Sequence, residues 1–231
     1  MCALATEARH LKPSTARHEA LSRLADGSLL SVSGVGAAAA ARGAGALIAA
    51  GAGALASFGL AGGLDPALET GAIFLPSEVT APHGAVITTA RGWRERLADA
   101  LAAHRPVAHG RLLTSVTAIG TVAQKAAAFR DTGAAAVDME SLAVAQVASA
   151  HQLPFIAVRV IVDAAGDVLP PAVSAAADSA GHLELWRLIG ALVRSPAQLA
   201  ALLRLACCYR TASRSLAAVA RAGAFASFAF A

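Results

Sequence analysis

The run Pro154–Val162, PFIAVRVIV, constrains this chain more than any other segment. It has the length of a strand, is apolar at almost every position and is rich in β-branched residues. That is the composition of a strand buried on both faces. Before it, Ala135-Ala136-Val137 reads as a strand and Glu140–His151 as a helix. Strand, helix and strand within ~30 residues form the pattern of a parallel βαβ unit, so Ala134–Asp163 is expected to be one. Units of this kind build α/β proteins, with helices covering both faces of a sheet.

Other segments fit the same class. Short strands are expected at Leu29–Ser33, Ala54–Phe58, Ala72–Leu75, Ala85–Thr88 and Arg111–Ser115. Helices are expected over Ala37–Ala50, where alanine is the best helix former, over Trp93–His104 and over Thr121–Arg130. Met1–Leu4 reads as the tail of a strand that runs into a helix holding Glu7 and Arg9. From His182 the chain is helical again, with a break at Ser195-Pro196. Neither a repeat nor a long linker interrupts it, so residues 1–231 are read as one domain with 182–231 its C-terminal helical segment. Apolar residues make up 56% and aromatic ones only 4%. A core of such small side chains favours close helix–sheet packing, and the surplus apolar surface leads us to expect a homo-oligomer.

The net charge of +4 comes from arginines spread singly, without the basic, aromatic-rich face of a nucleic-acid binder, so no nucleic-acid partner is expected. Cys2, Cys207 and Cys208 are odd in number and two are adjacent, which points to a reduced, cytoplasmic protein rather than a disulfide framework. The start carries no apolar core of a signal peptide. The one long apolar stretch, Val35–Leu64, is interrupted by Arg42 and many glycines and is read as strands and helix rather than a membrane span. The histidines form no metal-binding spacing, and neither metal nor cofactor is expected.

Three constellations carry candidate chemistry. Ser33-Gly34-Val35-Gly36-Ala37-Ala38-Ala39 has the G-x-G-x-x-A form between a strand and a helix. A dinucleotide site also needs an acid ~20 positions on, and none stands between Asp26 and Asp65. The segment is then a tight turn, or a set of backbone N–H groups facing a ligand oxygen. Val137-Asp138-Met139-Glu140-Ser141 lies at a strand-to-helix junction, the edge where open parallel sheets bind ligands. Asp138 there is either a helix cap or a site carboxylate, and Glu140 either a first-turn acid or a ligand contact. Asp163 closes the apolar strand, beside a low-dielectric wall that raises a carboxyl pKa and suits a general acid. By itself it would equally pass as a turn residue.

Taken together, ALATEAR, SGVGAAAA, GLAGGLDPALETGAI and AAAVDMESLAVAQVASAHQLPFIAVRVIVDAAGD resemble the nucleoside phosphorylase and nucleosidase superfamily. The likeness is strongest to its methylthioadenosine/adenosylhomocysteine nucleosidase branch. It implies a three-layer α/β/α fold around a mixed, largely parallel sheet, and cleavage of a purine nucleoside between base and ribose. By the same resemblance Asp163 protonates the purine N7, Glu140 binds the ribose hydroxyls and Met139 packs on the sugar, with Asp138 and Gly62 at the same site. The backbone at Ile119-Gly120 holds the base edge, and Glu7 activates water. Phosphorolysis is the alternative, but Ser57 and Leu60 stand where the phosphorylases carry an arginine and a hydroxyl, so hydrolysis is expected. Two departures stand out. Only Met1 and Cys2 precede ALATEAR, so the first strand is expected to be clipped, and Val162 replaces a serine beside the acid.

Arg210, Arg214 and Arg221 fall on one side of a C-terminal helix, which either lies on a membrane surface or packs on the sheet with solvated arginines. This tail resembles the hopanoid-associated members of the superfamily, which implies a lipid-linked nucleoside, adenosylhopane, as substrate and release of adenine from it. Two other classes remain open: a dinucleotide-binding oxidoreductase resting on SGVGAAA, and a non-catalytic nucleoside binder.

Overall fold

The computed structural model describes residues 5–11, 21–84, 86–102, 106–169 and 198–222. In chain order the elements are α1 (Ala5–Ala8), a 3-10 turn (Arg9–Leu11), β1 (Leu21–Arg23), β2 (Leu29–Ser31), α2 (Ala37–Ala49), β3 (Leu55–Gly63), β4 (Ile73–Phe74), β5 (Glu78–Thr80) and β6 (Val86–Thr88). There follow α3 (Arg91–Ala102), β7 (Val107–Ala108), β8 (Arg111–Thr114), α4 (Val122–Thr132), β9 (Ala134–Asp138), α5 (Ser141–Ala150), β10 (Phe155–Asp163) and α6 (Gln198–Ala222). The expected strand tail Met1–Leu4, residues 182–197 of the expected helical segment and its break at Ser195-Pro196 lie outside the described residues, while Gln198–Ala222 is helical as expected.

Eight strands form one sheet in the order β6-β5-β8-β9-β3-β10-β4-β7, and β1 and β2 form a separate hairpin. Four of the seven pairings in the large sheet are parallel and three antiparallel, so it is mixed and mostly parallel. The fold is thus the α/β class expected. One detail of that expectation is corrected. β9, α5 and β10 do form, but the two strands are neither neighbours nor parallel: β3 lies between them, parallel to β10 and antiparallel to β9, so β9 and β10 run in opposite directions. A strand–helix–strand spacing fixes which elements form, whereas their direction and neighbours are set by which ladders pair. β3 and β10 match from Phe155↔Leu55 through Asp163↔Gly62, while β3 and β9 share only Gly62↔Val137 and Gly63↔Ala136.

The alternation along β10 sends side chains into two separate cores. Phe155, Ala157 and Ile161 join Ala40, Ala44 and Leu47 of α2 and Ala143, Val144 and Ala148 of α5. Ile156, Val158 and Val160 join Trp93, Leu97 and Leu101 of α3 and Ala212, Leu216 and Val219 of α6 on the opposite face. A fully buried valine or isoleucine contributes roughly 1.5–3 kcal/mol, so this one strand anchors both helical layers. The alanines of α2 and α5 let those helices pack closely, because only a methyl group separates the backbones. Arg210, Arg214 and Arg221 are exposed on α6 while its apolar stripe is buried in the core. Among the described residues, no helix is long and apolar enough to cross a membrane.

Candidate active site

The end-on overlap of β3 with β9, and its full-length pairing with β10, brings three strand ends to one point. Gly62 faces Asp163 on one side and Val137 on the other. A cavity of about 220 Å³ opens there, and Glu7, Gly62, Ile119, Asp138, Met139, Glu140 and Asp163 all line it. Gly120 stands just behind. Its carbonyl accepts from the Leu169 N–H at 2.9 Å and its N–H donates to Gln124 Oε1 at 3.3 Å, so it holds Leu169 as part of the wall.

Asp163 is aimed by a bulge. The β3–β10 register slips between Ile161 and Asp163, at Val162, and such a slip re-aims the next side chain. The carboxyl is buried, and burial pushes its pKa from 3.8 up to about 6, against the opposing pull of the Lys125 charge and hydrogen bond. Lys125, fully buried on α4, donates through Nζ to Asp163 Oδ2 and, at 2.7 Å, to the Ala164 carbonyl. A Cβ at Gly62 would come within 3.4 Å of both Asp163 oxygens, so glycine there keeps the approach to the acid open.

Glu140 ties two glycine- and helix-forming segments together. Its Oε1 accepts from the Gly36 N–H at 2.8 Å, and its Oε2 from the Met139 N–H at 3.3 Å. Gly36 has φ 95°, a left-handed value that a side chain resists, which is why the SGVG turn carries glycine there. The oxygen this turn faces is therefore the protein's own carboxylate. Burial raises the Glu140 pKa from 4.5 to about 7, with the nearby Asp138 charge adding to the rise.

Glu7, on α1, reaches the middle of β3. Its Oε1 accepts from the Leu60 N–H at 2.9 Å and its carboxylate lies directly over Gly59, where a Cβ would come within 2.7 Å of Oε1. Glu7 is close enough to Glu140 for its charge to add to the rise in the Glu140 pKa.

Asp138 does two jobs that its position in the sequence left open. It accepts from the Ser141 N–H at 3.1 Å, which caps the first turn of α5. It also accepts from Thr114 Oγ1 at 2.7 Å and from Arg159 Nε and Nη2 at 2.9 and 2.7 Å. Arg159 in turn donates from Nη2 to Ser57 Oγ at 2.6 Å and Ser141 Oγ at 2.8 Å. Arg159 and Lys125 escaped the reading of the sequence, which named Ser57 and Ser141 without this role. The signal was present in the lone arginine inside PFIAVRVIV, because a charge in a strand buried on both faces must have a partner. Lys125 was marked more faintly, as one of two lysines beside seventeen arginines.

Two further cavities are distinct from this one. One of about 520 Å³ shares Val35 and Met139 with the site and is lined by the first turn of α2, Arg42 and Ser115. Another of about 260 Å³ lies between β2 and the start of β3, walled by Leu30, Phe58 and Trp93. Among the described residues, Arg23 is its one charged lining residue. The 220 Å³ cavity is where carboxyls with near-neutral pKa values meet, the combination that proton transfer at neutral pH requires.

The phosphorylase superfamily model matches residues 6–189. Among solved structures, the chain is similar to the 5′-methylthioadenosine/S-adenosylhomocysteine nucleosidase of Colwellia psychrerythraea in complex with adenine. That match has 25% identity and TM-score 0.62, covering 71% of this chain and 81% of that one. It shares the fold of the same-named nucleosidase of Neisseria meningitidis in complex with methylthio-immucillin-A, at 17% identity and TM-score 0.68, over 94% and 95% of the two chains. A futalosine hydrolase of Helicobacter pylori also has this fold, at 15% identity and TM-score 0.62, over 69% and 86%. Comparison with curated proteins gives no match.

Proposed function

The chain belongs to the phosphorylase superfamily, and from that premise we propose that it cleaves the N-glycosidic bond of an adenine nucleoside with water as the attacking group. The observation that carries this reading is the convergence of Glu7, Glu140 and Asp163 on one cavity. Asp163, raised to about 6, holds a proton for the purine N7 and makes the base a better leaving group. Glu140 binds the ribose hydroxyls, Met139 packs on the sugar and Glu7 positions and activates the water. Ile119 and Gly120 lie on the base side. Breaking the C–N bond builds positive charge on the sugar, and the adjacent carboxylates stabilise it electrostatically. Asp138 acts from behind, because its oxygens already accept from Thr114, Ser141 and Arg159.

We further infer that the nucleoside carries an apolar group, as adenosylhopane does. Val116, 91% exposed, lines the cavity beside Met139 and supports that reading. Equal rates of adenine release from methylthioadenosine and adenosylhopane would count against it. One observation favours phosphorolysis instead: Arg42 and the first turn of α2 line the cavity next to Met139. The sugar product, identified with and without phosphate, decides. Free ribosyl product in both reactions supports hydrolysis, and a 1-phosphate formed only with phosphate replaces it.

A further inference from the structure

We propose that Lys125 is a positioning residue for the acid of this reaction: it holds Asp163 Oδ2, leaves Oδ1 as the oxygen that hands its proton to the base, and stabilises the carboxylate left behind. The inference rests on the assignment of Asp163 as the acid.

The placement of Lys125 argues for such a task. Among the described residues of α4, Lys125 is the buried one, and its ammonium has no exposure at all. A helix needs no charge for anchorage, since a buried ion pair usually adds little net stability over an apolar contact of the same size. Here the charge is spent on a single carboxyl and the carbonyl that follows it, Ala164. The acid is thereby gripped from the α4 side, and α4 is continuous with the loop that contributes Thr117, Ala118 and Ile119 to the cavity wall. The capping box of Thr121 and Gln124 fixes where that helix starts, and so where Lys125 stands.

Proton transfer changes what the lysine faces. Before it, a neutral Asp163 carboxyl with its hydrogen on Oδ1 lies beside a cation. The proton then moves to the base, the C–N bond breaks and its electron pair stays on the base. Asp163 becomes a carboxylate paired with the Lys125 ammonium. The attraction is stronger after transfer than before it, which is the differential stabilisation that accelerates a step. It also strengthens the acid, opposing the rise that burial imposes on Asp163.

The test compares wild type with Lys125→Met and Lys125→Gln by pH profile of adenine release and by carbon-13 titration of the Asp163 carboxyl. Loss of a cation at this distance should move the Asp163 titration, and with it the alkaline limb of activity, upward by about 1–3 units. kcat should fall more than KM rises, and Lys125→Met should slow Asp163→Asn no further. An unmoved titration, or a loss that multiplies with that of Asp163→Asn, overturns the proposal. If the wild type releases no base, it is the functional reading that fails, and the titration still decides the role of Lys125. Should Lys125→Met not fold, Lys125→Gln keeps a donor without the charge and should shift the titration the same way.

Discussion

Arg159→Met probes the network behind the site. The side chains of Arg159 and Asp138 are 3% and 1% exposed, so their charges depend on each other rather than on water. Removing the guanidinium deletes two donors to Asp138 Oδ2 and one each to Ser57 and Ser141. It leaves a carboxylate buried without a cation. Breaking such a pair from one side costs about 3–5 kcal/mol, a large part of the 5–15 kcal/mol typical of a folded domain. At about 2–4 °C per kcal/mol for a chain of this size, Tm should fall by roughly 6–20 °C. The companion variant Asp138→Asn/Arg159→Met removes the stranded charge and keeps an acceptor for Thr114. It should be more stable than Arg159→Met alone by about 1–3 kcal/mol, the cost of leaving a buried group unsatisfied. Urea melts of the two singles and the double measure this directly. A single-variant loss under about 1 kcal/mol, or a double that loses the sum of both singles, refutes the reasoning.

Asp163→Asn should lower the rate of adenine release by about 10²- to 10⁴-fold, the usual contribution of a general acid, while adenine binding measured by calorimetry is retained. Gly59→Ala puts a methyl group 2.7 Å from Glu7 Oε1, at the movable end of that side chain. Activity should drop while the melting temperature hardly changes, and a variant with full activity would show that the place of Glu7 does not matter. Glu140 and Asp163 have folded pKa values of about 7 and 6, above their ordinary 4.5 and 3.8. Between the ordinary and the folded values the native state keeps protons that the unfolded state has released, so stability should fall as pH rises through that window. Thermal melts across pH test the sign, and Glu140→Gln should flatten the slope; a wild-type Tm that climbs over the same range contradicts it.

Particular residues mark how far the sequence could be read. Ala37–Ala49, Arg111–Thr114 and Phe155–Asp163 form where alanine content and β-branched runs placed them. Such patterns report how one local element is buried. The short strands β1, β5 and β7, two or three residues each, went unread, because so short a pattern gives little signal, although the equally short β2, β4 and β6 were read. Asp138, Met139, Glu140 and Asp163 were legible as motifs because their segments stand at strand ends, whereas Glu7, on α1, was reached through the family resemblance.

The order of β9, β3 and β10 was settled only in three dimensions, because pairing is a property of two strands and not of either alone. So were the partners of the carboxylates. Arg159 is 21 positions from Asp138, and Lys125 is 38 from Asp163. The sequence by itself determined that a strand buried on both faces would end in an acid, and that an Asp-Met-Glu turn would stand at the end of another strand. Tertiary structure decided that these acids meet at one cavity and how deeply Asp163 and Glu140 are buried, which raises their proton affinities, because burial and charge act across space and not along the chain.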